Sequence, residues 1–167
     1  MRSLVSVQTR TIDLVDEAAT LALGARLAGA LGAGMRIYLY GELGTGKTTM
    51  VRGLLRALGY QGSVKSPTYS LVELYVISGL YLYHFDFYRF NDPNEWFEAG
   101  FDEYFDSDSV CLVEWPQQAA NLLPAADLTV TLTLADDARR ALVGALSARA
   151  RARLPRPVGR LPQHRVP

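Results

Sequence analysis

The chain has one cysteine among its 167 residues. Cys111 has no partner for an internal disulfide, and inside an apolar run it is expected to be a buried small hydrophobe. A disulfide-stapled scaffold and a cysteine-built zinc site are both excluded. Also missing is any apolar run near the ~20 residues of a membrane span, and the N-terminus lacks a signal-peptide core. The cytoplasm is therefore the expected location, and no membrane contact is expected. Net charge is missing too, at +0. That balance hides an asymmetry. Six of the seventeen Lys and Arg residues lie from Arg149 onward with no Asp or Glu beside them, so residues 1–148 carry eleven basic against seventeen acidic residues. An acidic body with a basic tail is not the pattern of a dedicated nucleic-acid reader. No internal repeat is present.

What remains is an ordinary globular composition, 49% apolar and 20% charged, with the length of one domain. Its most informative stretch is Gly41-Glu42-Leu43-Gly44-Thr45-Gly46-Lys47-Thr48, which matches the phosphate-cradling pattern G-x-x-x-x-G-K-S/T. The context fits. Met35 to Tyr40 reads as a buried strand, and Thr48 to Leu58 reads as a helix stopped by Gly59. Glycines let several backbone N–H groups turn toward one anion, and the helix N-terminus adds partial positive charge. Lys47 is placed to reach the β- and γ-phosphates, and the Thr48 hydroxyl to bind magnesium. Nucleoside-triphosphate binding follows as the expected activity.

Around this loop the chain alternates strands and helices. Ser3 to Thr9 is expected as a half-exposed first strand, and Asp16 to Leu31 as a helix. Ser66-Pro67-Thr68 lies in a loop long enough to approach the nucleotide, where a hydroxyl can sense the γ-phosphate or magnesium. Turn chemistry is the plainer reading of Thr68. Tyr69 to Ile77 and Leu80 to Phe87 flank Ser78-Gly79, a hairpin signal. In the second strand Tyr81, Tyr83, Phe85 and Phe87 share one face and are expected in the core. Leu82, His84 and Asp86 share the other. An unpaired buried carboxylate is costly, so Asp86 is expected to pair or to face a site. His84 reads first as a hydrogen-bonded structural histidine.

Arg89 to Ser109 is acidic with interleaved aromatics, a solvated face over an apolar underside, with a docking surface for a basic partner as the sharper alternative. Val110 to Glu114 is an apolar strand ending in a carboxylate, the arrangement that supplies a carboxylate to magnesium in phosphate-binding folds. Trp115-Pro116 ends that strand, with the indole covering either the base or the core. Asp127 to Leu134 alternates as a strand, Asp136-Asp137 signals a turn, and Arg139 to Leu146 is ambiguous between helix and returning strand. Residues 149–167 are expected to be a disordered basic tail, leaving 1–148 as a single domain built around the P-loop.

Four blocks in order, Gly41 to Thr49, Ser66-Pro67-Thr68-Tyr69 with Leu71, Val72 and Tyr75, His84 to Arg89, and Glu114-Trp115-Pro116, resemble the signature of the TsaE (YjeE) family, bacterial ATPases of tRNA threonylcarbamoyladenosine biosynthesis. The resemblance runs from the first strand to Leu146. It implies an α/β, three-layer P-loop-type domain with a mixed, partly antiparallel sheet of about seven strands, and so a strand for Arg139 to Leu146. It implies a nucleotide site made of Gly41, Glu42, Leu43, Gly44, Thr45, Gly46, Lys47, Thr48, Thr49 and Trp115. Thr68, Asp86 and Glu114 would be the catalytic residues. Magnesium would be held by Thr48 and Glu114, with Asp86 as the alternative ligand. ATP and Mg2+ are the implied cofactors. TsaD and TsaB are the implied partners, and tRNA is reached indirectly through their complex. Gln117 stands where the family often has an acid, and the tail after Arg149 lies outside the family pattern.

Two other classes share the loop. A small-molecule or nucleoside kinase needs an acceptor pocket and usually an arginine-bearing lid, yet Arg89 is the only basic residue between Lys65 and Arg139. A non-catalytic module would use nucleotide only to stabilise its fold. A GTPase is disfavoured because no Asn-Lys-x-Asp run occurs.

Overall fold

The computed structural model describes residues 8–154. Seven strands form one mixed sheet in the order β1-β7-β6-β2-β5-β4-β3, over Gln8–Leu14 (β1), Arg36–Tyr40 (β2), Val72–Ile77 (β3), Leu80–Asp86 (β4), Ser109–Glu114 (β5), Leu128–Ala135 (β6) and Ala138–Ala145 (β7). The four central strands, β6, β2, β5 and β4, run parallel. Antiparallel pairs flank them on both sides. Four helices complete the fold, Glu17–Ala28 (α1), Lys47–Ala57 (α2), Pro93–Glu98 (α3) and Ala148–Arg153 (α4). The α/β class and the mixed sheet are thus as the resemblance implied, and residues 138–145 are strand.

Strand alternation divides the core into two halves. Ile37, Leu39, Leu82, Val110 and Leu112 face α1 and α2 in an aliphatic cluster with Leu23, Leu27, Met50, Val51, Leu54 and Leu55. Tyr38, Phe85, Cys111 and Val113 face the opposite side, in an aromatic cluster with Phe87, Phe90, Trp96, Phe101 and Phe105. Helices α1 and α2 approach closely because each has a glycine at the crossing. A methyl group on Gly24 would stand 2.0 Å from the Met50 carbonyl oxygen, and one on Gly53 would stand 2.2 Å from that of Leu21. The β3–β4 hairpin turns through Ser78 and Gly79, both with positive φ, the primed turn that matches strand twist.

Three expectations need correction. Among the described residues the first strand is Gln8–Leu14, so it runs on past Thr9 to Leu14, where it is paired with Arg139 of β7; residues 1–7, which hold most of the expected Ser3–Thr9 strand, lie outside the described residues. Of the aromatic stripe on β4, only Phe85 and the following Phe87 are fully buried, whereas Tyr81 is 49% exposed beyond the reach of the aromatic cluster. The start of the basic tail is a helix. Ser147 caps α4 through its hydroxyl on the Ala150 N–H, and Ala150 and Leu154, four residues apart, insert into the aliphatic cluster. Between them, half-buried Arg151 donates to the Leu146 carbonyl at 3.2 Å and exposed Arg153 to the Leu31 carbonyl at 2.9 Å. Residues 155–167 lie outside the described residues.

Candidate functional site

The site forms at the carboxyl ends of the parallel strands, where open α/β sheets bind ligands. Strand β2 ends at Tyr40 and the chain enters the P-loop. Gly46 caps α2 with a φ of 104°, a backbone conformation that favours glycine. Lys47 is buried and its Nζ donates to the carbonyl oxygens of Gly41 and, at 3.0 Å, of Glu42. Thr45 is also buried and donates to the Glu42 carbonyl at 2.8 Å. Gly41, Glu42 and Thr45 thus shape the loop. Leu43, Gly44, Gly46, Lys47, Thr48 and Thr49 line the cleft itself.

The facing wall comes from β4 and β5. Their parallel register places Asp86 opposite Glu114, and β2–β5 pairing places Glu114 opposite Leu39, one residue before the end of β2. Both carboxylates point to the α2 side because they alternate in phase with Leu82 and Leu112. Thr48 Oγ1 lies 3.4 Å from Glu114 Oε1. Ser66 Oγ makes a short hydrogen bond to Asp86 Oδ2 and stands 3.2 Å from Glu114 Oε2. The Tyr88 N–H donates to Asp86 Oδ1 at 2.9 Å. His84 is fully buried and its Nε2 stands 2.6 Å from Glu114 Oε2. An ionised carboxylate only accepts, so Nε2 carries the proton, and the buried Nδ1 is left without a partner among the described residues.

Electrostatically the two walls are coupled. Burial alone would push the Glu114 carboxyl up, but the His84 hydrogen bond and charge, Lys47 and Ser66 outweigh it and hold the group below its ordinary 4.5. Burial pushes the Lys47 ammonium below its ordinary 10.5, while Glu114, Asp86 and Glu42 resist that fall. The Lys47 Nζ also lies 4.7 Å from the centre of the Trp115 ring. Trp115 has left-handed backbone dihedrals (φ 56°, ψ 48°) immediately before a proline, a doubly disfavoured position. That turn lays its indole over Lys47 and against Tyr88.

The cleft has a volume of about 350 Å³, within the range of small-ligand sites. Among the described residues no group of three or more His, Cys, Asp or Glu forms a metal cage. Magnesium does not need one, since it takes one or two protein oxygens and completes its shell with phosphate and water. The Thr48 hydroxyl beside the ionised Glu114 fits that donor set.

A sequence model of the family described as threonylcarbamoyl adenosine biosynthesis protein TsaE matches residues 14–142. The chain belongs to the TsaE family. Three relatives are each named tRNA threonylcarbamoyladenosine biosynthesis protein TsaE. The one from Haemophilus influenzae is 52% identical over 103 residues, 62% of this chain and 65% of its own length. That from Bacillus subtilis is 41% identical over 102 residues, 61% and 63%. That from a Nostoc species is 34% identical over 137 residues, 80% and 83%. The chain thus spans just under two thirds of the first two relatives. The crystal structure of Bacillus subtilis YdiB superposes with a TM-score of 0.73 at 32% identity, covering 88% of this chain and 92% of that one.

Of the site residues read from the sequence, Gly41, Glu42 and Thr45 do not line the cleft and all the others do, with two further differences. Thr68 lines the cleft, but the hydroxyl that joins the carboxylates is that of Ser66. Both hydroxyls sit in one loop, and sequence alone does not say which one turns inward. Arg139 also lines the cleft. Basic residues are therefore less scarce at the site than their spacing along the chain implied. Arg89, the one basic residue of the acidic segment, lies over Tyr69 instead.

Proposed function

We propose that this chain is an ATPase that acts as an ATP-driven switch on partner proteins of the TsaD and TsaB type in threonylcarbamoyladenosine modification of the adenosine beside the tRNA anticodon. It would work in the cytoplasm and reach tRNA only through that complex. The observation that carries the proposal is the convergence of Lys47 and Thr48 with Asp86 and Glu114 on one cleft of a TsaE-family chain.

In this reading the P-loop N–H groups and the α2 N-terminus cradle the phosphates, and Lys47 neutralises charge on the β- and γ-oxygens. Thr48 and Glu114 would hold magnesium, which supplies charge neutralisation between the phosphates. The contact of the Thr48 hydroxyl with Glu114, at 3.4 Å, supports that choice over Asp86. Asp86, held by Ser66 and by the Tyr88 N–H, is then the group that orients the attacking water. Catalysis would be positioning and charge neutralisation, with the barrier lowered further when partners complete the site.

The test is an ATPase assay on the chain alone and then with TsaD, TsaB and tRNA. Slow release of phosphate alone and a marked rise in the full mixture are expected. No turnover in any mixture would leave only a nucleotide-stabilised interaction module. A phosphorylated nucleoside in place of free phosphate would make the chain a kinase.

A further inference from the structure

Arg139 stands immediately after the β6–β7 turn, on the same edge of the sheet as the P-loop. Its backbone is paired on both sides, opposite Leu134 of β6 and Leu14 of β1. The side chain therefore leaves a rigid base. It reaches the P-loop at Gly46, where an added methyl group would stand 3.0 Å from Arg139 Nη1 and 3.7 Å from its Cζ. The guanidinium is partly buried and lines the cleft.

Its neighbour shows what an arginine on this hairpin does when it serves the fold. Arg140 forms an exposed ion pair with Asp13 at 3.0 Å. Arg36, Arg52, Arg56, Arg151 and Arg153 each donate to a backbone carbonyl. The Arg139 side chain makes no hydrogen bond or ion pair with any described residue, although Asp86 and Glu114 line the same cleft. A planar cation on a paired strand, without an acceptor and turned into a phosphate-binding cleft, fits an anion that accepts two parallel N–H bonds.

Position decides which phosphate. The magnesium and γ-phosphate end of the site is marked by Thr48, Glu114, Ser66 and Asp86. Arg139 instead abuts Gly46 beside the Thr20 methyl, on the α1 flank of the loop. The loop around Gly46 cradles the α- and β-phosphates.

We infer that Arg139 grips the α,β-diphosphate part of the nucleotide, so that it retains ADP and ATP alike and takes no part in γ-phosphate transfer. The assignment rests on the nucleotide-site reading above. It also gives the switch a way to keep its product bound after hydrolysis.

The experiment measures ADP and ATP binding by calorimetry for the wild type, Arg139→Gln, Arg139→Lys, Arg140→Gln and Lys47→Ala, with melting temperatures of the nucleotide-free proteins as a folding check. Arg139→Gln should weaken ADP and ATP by the same factor, about 10- to 100-fold, with kcat at saturating ATP within about threefold of wild type. Arg139→Lys should recover part of the loss, because it restores the charge without the planar fork. Arg140→Gln should bind as wild type. Unchanged ADP affinity in a folded Arg139→Gln protein would overturn the assignment, as would a loss confined to ATP or to kcat. If the wild type binds neither nucleotide, the nucleotide site itself fails. If the wild type binds and Lys47→Ala does not, a normal Arg139→Gln protein removes Arg139 alone.

Discussion

The P-loop wall of the cleft takes its atoms from one continuous stretch, Gly41–Thr49, whereas the wall facing it collects Ser66, His84, Asp86 and Glu114 from a loop and two strands. The first wall is set by local backbone conformation and by the start of α2. The second exists only while β4 and β5 keep the register that puts Asp86 opposite Glu114. A slip of one residue there would turn one carboxylate toward the aromatic side of the sheet and part the two. Damage to the P-loop wall should therefore appear as lost binding with the fold intact. Damage to the facing wall should couple catalysis to stability.

The largest effect expected from breaking this contrast is on the P-loop side. Lys47→Ala should weaken ATP binding by roughly 100-fold or more through loss of a buried charge-assisted contact, while the melting temperature stays close to wild type. Calorimetry with ATP checks it, and unchanged affinity would refute the P-loop assignment. Next come the two carboxylates, which a pair of isosteric changes separates. Glu114→Gln should lower hydrolysis by about 10²- to 10³-fold and weaken the magnesium dependence of nucleotide affinity. Asp86→Asn should lower hydrolysis comparably while leaving that dependence in place. Titrating magnesium against fixed ATP distinguishes them, and identical magnesium curves would undo the division of labour.

The loop hydroxyls should give a smaller difference. Thr68→Ala should reduce partner-stimulated hydrolysis about tenfold with ATP affinity near wild type. Ser66→Ala should also lower stability, since it strips hydrogen bonds from a buried carboxylate. Equal collapse of affinity in Thr68→Ala would make that residue structural. The smallest effect, and the one that joins chemistry to fold, belongs to His84. His84→Ala leaves Glu114 buried without its imidazole partner, at a cost of about 1–3 kcal/mol. Its sign with pH follows from the Glu114 carboxyl being held below 4.5. That group stabilises the fold fully above its unfolded value and loses the contribution as pH falls through the lower folded value. Without His84 burial dominates, so the acid-unfolding midpoint should move to higher pH, followed by circular dichroism. An unmoved midpoint would mean that Lys47 and Ser66 hold the charge by themselves.

The same contrast explains what the sequence made visible. Gly41 to Thr48 was legible because its chemistry and spacing are local. Asp86 and Glu114 were legible as carboxylates ending apolar strands, a local signal for residues that act non-locally. Their pairing, the bond from His84 to Glu114, and the choice of Ser66 over Thr68 as the linking hydroxyl arise from sheet register and loop direction, which no short window contains. Arg139 was hidden for the same reason. It reaches Gly46 only because β7 returns beside β6 and β6 lies beside β2. The helix α4 was obscured differently, since its alternation of Ala and Arg masks the four-residue spacing of Ala150 and Leu154.

That last helix sets where the domain can be cut. A chain ended at residue 148 would strip Ala150 and Leu154 from the aliphatic cluster and uncover Leu27 and its neighbours. It would also leave the Leu31 carbonyl, just past the end of α1, without the Arg153 guanidinium. A piece that keeps the P-loop's supporting layer sealed therefore runs at least through Leu154, and a fusion partner or affinity tag belongs beyond that residue.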